Sequence, residues 1–104
     1  MNITIGRIVI YTLTEADAFE INRRRDDASR SKAAASALGF TVHVGNQVRA
    51  GEEYPMVVTR VWEGSPPIHV NGQVLLDGND LYWATSVANG PGARQWRWPE
   101  RVAE

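Results

Sequence analysis

The sequence predicts an α+β domain that is mostly β: a small SH3-like barrel or roll of five to six strands, with one helix inserted after the first strand. Three observations carry that prediction. Apolar residues recur with period two in short runs broken by Gly, Asn and Pro, as half-buried strands require. One stretch alone, beginning at Thr14, combines helix-start signals. Asp77-Gly78 stands between an apolar run (Val74, Leu75, Leu76) and an alternating one (Leu81, Trp83, Thr85, Val87), the pattern of a tight hairpin. A chain of 104 residues makes one domain, 1–104, burying roughly two-thirds of its unfolded surface. Closure into a barrel protects the sheet edges that so short a chain cannot otherwise cover.

In order, Ile3 to Leu13 alternates and then runs apolar through Ile8, Val9, Ile10 and Tyr11, which reads as the first strand, with Gly6-Arg7 marking a bulge or a close backbone approach. Thr14 can cap free amides, and Glu15, Asp17 and Glu20 suit the positive end of a helix spanning about 15–28. Phe19, Ala18 and Ile21 supply its apolar face. Arg23, Arg24 and Arg25 follow, and at about 100° per residue they fan over most of the helix circumference. They serve either as a solvated face paired with Glu20 and Asp27 or as ligands for an anion. The Ser/Ala-rich segment at about 29–38 either continues the helix or forms a variable loop, the loop being the expectation adopted, and Gly39 is a stop in either case.

The remainder, 40–98, reads as a β meander. Phe40 to Val48 alternates as a half-buried strand, and Arg49 to Glu53 is a polar loop. Tyr54 to Trp62 is rich in β-branched residues and is the strongest strand, with Pro55 tolerable near its start. Ile68 to Leu76 is a strand broken or bulged at Asn71-Gly72, Leu81 to Val87 returns antiparallel to it, and Gln95 to Trp98 is a last short strand. Trp83 reads as core. Trp96 and Trp98, after the Asn89-Gly90-Pro91-Gly92 loop, either complete the core or fold over a cleft and stack a flat ring.

Composition excludes several chemistries. With no cysteine there are no disulfides and no thiolate metal sites. His43 and His69 are the only histidines and gather no third ligand in sequence. Asp77-Gly78-Asn79-Asp80 opens like a calcium loop but fails at Leu81 and at Ala88, where the closing carboxylate belongs. No nucleophile elbow, phosphate loop or dinucleotide fingerprint occurs, so the expectation is a non-enzyme that uses no metal and no cofactor. Eleven basic against 12 acidic residues argue against duplex nucleic acid. No apolar run approaches the roughly 20 residues of a membrane span, and MNITIGRIVIY lacks the basic region and cleavage site of a signal peptide.

The stretches GRIVIY, LTEADAFEINRRR, HVGN, YPMVVTRVW, VNGQVLLDGNDLYWATSV and the closing W-R-W-P together resemble a family of small proteins of unknown function encoded by tailed bacteriophages and prophages. The likeness covers most of the chain in order. It departs in the longer spacer between Pro91-Gly92 and Trp96, and in the Ser/Ala-rich segment. The resemblance implies a phage origin, a host bacterial cytoplasm and a non-essential accessory role.

Two functions compete on this reading. The first is sequestration of a small anionic, nucleotide-like ligand, as a sponge for a host defence signal. Arg23, Arg24 and Arg25 would hold its phosphates, Trp96 and Trp98 its base, and Asn22, Asn46, Asn71 and Asn79 its polar edges, with Trp83 a further candidate at the site. A homo-oligomer is expected, because so small a domain builds a deep pocket most easily across an interface. The alternative is a protein-interaction or virion-associated module that uses the Trp-rich face.

Overall fold

The computed structural model describes residues 2–37 and 44–100, with the backbone alone for 32–37. The elements are β1 (Ile8–Thr12), α1 (Glu15–Ala37), β2 (Glu53–Trp62), β3 (His69–Leu75), β4 (Leu81–Asn89) and β5 (Gln95–Arg97). The strands close a barrel in the order β1-β2-β3-β4-β5. The neighbours from β1 to β4 pair antiparallel. β5 runs antiparallel to β1 and parallel to β4. The expected small barrel, mostly sheet with one helix after the first strand, is therefore the architecture found. The closing step is not a meander, because the 90–94 connection turns the chain so that β5 aligns with β4.

Period-two alternation sends Val9, Tyr11, Met56, Val58, Val74, Ala84 and Trp96 into the barrel, where all are buried. Gly72 faces Val58 and Ala84 across its two ladders. A Cβ there would come within 2.8 Å of the Val57 carbonyl and collide with the Met56 side chain, so the missing side chain makes room for Met56. Both ladders of β3 shift register beside Asn71-Gly72, but the extra residues are Thr59 of β2 and one of Thr85-Ser86 of β4, so the irregularity expected of this strand falls on its neighbours while β3 runs through unbroken. The shift buries Asn71, whose Oδ1 accepts from Trp62 Nε1 at 3.0 Å and from the Ser86 amide at 2.8 Å. That second bond supports Ser86 in a left-handed conformation, φ 51°, which costs of order 1–3 kcal/mol.

The N-terminus of α1 packs onto the barrel through a reciprocal cap. The Asp17 amide donates to Thr14 Oγ1 at 3.0 Å, and the Thr14 amide donates to Asp17 Oδ2 at 3.0 Å. Asp17 also accepts from the Tyr11 hydroxyl of β1 at 2.5 Å and the Tyr82 hydroxyl of β4 at 2.7 Å. Ala18, Ile21 and Arg25 follow at spacings of three and four, forming the buried stripe of the helix.

The structure corrects several expectations. α1 does not stop near residue 28: the Ser/Ala-rich segment continues it to Ala37, since alanine is the strongest helix former. Phe19 lies off the 18-21-25 stripe and is 70% exposed. Gly6 makes a turn with φ 92° and open space around it, and β1 begins only at Ile8. Of the strand expected over Phe40 to Val48, residues 40–43 lie outside the described residues, as do Leu38 and Gly39, and the rest is irregular. Asp77-Gly78 is not a two-residue turn, because Gly78 does not take a positive φ and the connection runs from Leu76 to Asp80.

Asp17 gives this fold its acid sensitivity. Burial alone would raise its pKa, but the Thr14 amide and the two tyrosine hydroxyls outweigh burial and hold it below the ordinary value. A depressed carboxylate stabilises the fold above its unfolded pKa, about 3.9, and that contribution is lost as pH falls through the folded value. The melting temperature should therefore fall from about pH 4 downward. Asp17→Asn should lower stability at pH 7 by roughly 1–3 kcal/mol and flatten the acid limb. Thermal melts from pH 2 to 7 check both.

Candidate functional site

A cavity of about 700 Å³ opens at the end of the barrel where β3 begins. Three tryptophans border it. Trp96 is buried, and its Nε1 donates to the Ile68 carbonyl at 3.0 Å. Trp98 is half-buried and meets Trp96 edge to face, with ring centroids 5.7 Å apart and planes at 88°. Trp62, at the end of β2, is fixed by its bond to Asn71 Oδ1. Ile3, Val61, Ile68 and the cis Pro66-Pro67 pair add apolar wall.

Polar groups are few. Asn89 lines the cavity while its Nδ2 donates to the Trp96 carbonyl at 3.0 Å, and Glu63 offers a carboxylate. Arg60 stacks its guanidinium 3.9 Å from the centre of the Trp62 ring. No acidic side chain pairs with it among the described residues. A cation held on an indole in this way stays available to an anion beside it. An apolar pocket with a few directed polar groups is the ordinary make-up of a small-molecule site.

A second constellation lies at the other end of β3. Arg25 of α1 is only 3% exposed and pairs with Asp80 through Nη1. Arg24 donates from Nη1 to the Leu81 carbonyl at 3.0 Å, sits 3.5 Å from Asp80 Oδ2, and overlies the Tyr82 ring at 5.7 Å. Gly45 and Gly78 flank the Arg25 guanidinium so closely that a Cβ at either would collide with it. β3 has seven residues, so at about 3.3 Å per residue roughly 20 Å separates the arginines from the tryptophan cavity.

The ten residues expected at one ligand site therefore do not form one. Trp96 and Trp98 line the cavity, and Trp96 is core as well. Trp83 is neither core nor cavity: it is 61% exposed on the outer face of β4, because inward positions of that strand fall to Ala84 and Val87. Arg24 and Arg25 gather with Asp80, while Arg23 is exposed on α1. Asn22 bonds both the amide and the carbonyl of Val48 at 2.8 Å, securing the irregular 44–49 segment to the helix. Asn46 bonds Asp77 through its side chain at 2.5 Å and through its amide at 3.2 Å. Asn79 belongs to the connection beside Asp80, and Asn71 orients Trp62 from within the wall.

Sequence reasoning missed Arg60 and the apolar wall around Ile68. A usable signal existed for Arg60: two residues before Trp62 in a regular strand, it shares that residue's face. Among the described residues, no three His, Asp or Glu side chains gather as metal ligands would. Among the described residues, no helix is long and apolar enough to cross a membrane.

The close flanks of Arg25 lead to an expectation for stability. Gly78→Ala places a methyl 2.9 Å from the Gly45 Cα and against the guanidinium. Overpacking of this kind costs about 1–3 kcal/mol. Urea unfolding should show a lower midpoint with an unchanged slope, whereas Gly64→Ala meets no neighbouring atom and is limited only by its φ of 152°. Comparison with protein-family models, curated proteins and solved structures returns no match, so the chemistry of these two constellations is what bears on function.

Proposed function

We propose that this chain is a non-enzymatic binding protein that sequesters a small nucleotide-like molecule in the tryptophan-bordered cavity. The observation that carries the reading is the combination of the Trp96–Trp98 pair with Trp62, a lining residue on whose ring Arg60 stacks. A flat base stacks on indole faces with little regard to its identity, and Arg60 supplies the charge for a phosphate. Glu63 and Asn89 offer partners to base or sugar donors. The volume falls in the ordinary range for drug-sized ligands, about 300–1,000 Å³. The resemblance to phage-encoded proteins supports an accessory role in a bacterial host, in which a compact protein lowers the free concentration of a nucleotide signal.

A second reading, a protein-interaction module, is favoured by a different observation. Ile8, Val57, Gln73 and Trp83 form one row across four strands by their ladder register. Ile8 and Trp83 stand 53% and 61% exposed, and Leu81 beside them 48%. An uncharged outward row with a large aromatic is suited to docking another chain.

A thermal-shift panel of cyclic dinucleotides, cyclic ADP-ribose isomers, mononucleotides and short oligonucleotides tests the first reading. A ligand at about 100 times its dissociation constant adds roughly 2.7 kcal/mol, a shift of ten degrees or more for a domain of this size. The expected result is a shift confined to one nucleotide class, lost in Trp98→Ala and weakened at least about tenfold in Arg60→Ala, with both variants melting cooperatively. A flat panel on an intact melt would reject the cavity reading in favour of the outer face.

A further inference from the structure

The meeting of Arg24, Arg25 and Asp80 is chemically incomplete. Two guanidinium groups share one carboxylate, so the cluster keeps a net positive charge. The Nε of Arg24 and the Nε and Nη2 of Arg25 are shut off from solvent and donate to no acceptor among the described residues, and Arg24 Nη2 reaches Asp80 Oδ2 only at 3.5 Å, without a formed hydrogen bond. Buried polar atoms are nearly always hydrogen-bonded, and charged donors left unmade are the costliest exceptions. Here three such nitrogens stand together, with Arg24 Nη2 held only by a long contact to Asp80. The only other acidic side chain placed on this connection, Asp77, is engaged by Asn46.

The surroundings are built to keep the guanidinium of Arg25 in place. Gly45 and Gly78 clear the space around it, and the i, i+4 stripe of α1 delivers it to the buried side. Arg24 is fixed from two directions, by the Leu81 carbonyl and the Tyr82 ring. Asp80, whose side chain is 33% exposed, marks the route from solvent. Two neighbouring guanidinium groups with unused donors suit a tetrahedral oxyanion, which can accept from both arginines at once.

We propose that Arg24 and Arg25 form an anion site for a phosphate-class oxyanion, and that the Asp80 carboxylate occupies part of that site when the oxyanion is absent. The site lies at the far end of β3 from the tryptophan cavity and stands whether or not the cavity binds a nucleotide. Asp80 competes with the ligand for Arg25, so it sets the affinity. The shared chemistry is the phosphate group, free or carried by a nucleotide.

The test is a titration of the arginine Nε–H resonances with inorganic pyrophosphate at constant ionic strength, followed by NMR. The expected result is a saturable displacement of the Arg24 and Arg25 signals, with exposed Arg7 and Arg30 unmoved. Arg24→Gln should weaken binding at least about tenfold, and Asp80→Asn should tighten it by removing the competing carboxylate. Adenosine monophosphate against inorganic phosphate then separates the sources: tighter binding of the nucleotide assigns the site to a nucleotide's phosphate, and equal binding assigns it to the free ion. Absence of a saturable shift up to millimolar pyrophosphate, equal movement of all arginines, or an Arg24→Gln variant that titrates like the parent protein would overturn the proposal. If Asp80→Asn fails to fold, the parent titration and Arg24→Gln still decide.

Discussion

Asp17 is the constraint on which the rest of the structure depends. One carboxylate caps α1, accepts from Tyr11 of β1 and from Tyr82 of β4, and so joins the helix to two strands that are not ladder neighbours. A buried carboxylate is tolerable only when its oxygens are satisfied, and here one oxygen holds the cap and one tyrosine while the other holds the second tyrosine. The same bonds push the Tyr82 hydroxyl up to about 12, burial being the larger cause. With the first turn fixed, helical geometry decides the rest. Ala18 and Ile21 reach the core, and Arg25 arrives one turn later beside the connection between β3 and β4.

The two ends of β3 are thereby given different chemistry. At its C-terminal end the helix brings charge, and glycines at 45 and 78 make room for it. At its N-terminal end no described residue of α1 lines the site, and the indoles of Trp62, Trp96 and Trp98 with Ile68 border an open cavity. Asn71 links that end to the barrel wall. Beside the register shifts, its side-chain oxygen accepts from Trp62 and from the amide of the strained Ser86. The bulge is therefore tied to the cavity wall: it turns a buried asparagine into the support of an aromatic side chain.

Much of the fold was legible in the sequence, because it rests on local signals. The period-two runs and the cap at Thr14 follow from short-range chemistry and are found, and the irregularity read at Asn71-Gly72 is found beside it, on β2 and β4. The errors arise where tertiary context overrides local preference. Polar, alanine-rich sequence at 29–37 reads as loop by composition, yet its helix propensity prevails once α1 is nucleated by the cap. Trp83 reads as core by residue type, but inward Ala84 turns its neighbour Trp83 outward, and the register shift at 85–86 is what brings Val87 back inside. Asp77-Gly78 reads as a tight turn, but Gly78 is small because an arginine from a distant helix passes it. The single ligand site failed for the same reason. Residue type named plausible ligands, while only the barrel shows that arginines and tryptophans occupy different ends of it.

The most direct test of the central claim follows the four indole N–H signals during titration with the nucleotides of the panel. Trp62, Trp83, Trp96 and Trp98 have distinct environments: one on the outer face of β4 and three at the cavity. Binding in the cavity predicts that the Trp98 and Trp62 signals move together and saturate, while Trp83 stays in place. Movement of Trp83 alone would place recognition on the outer face, and no movement of Trp62 or Trp98 with any nucleotide would contradict the account.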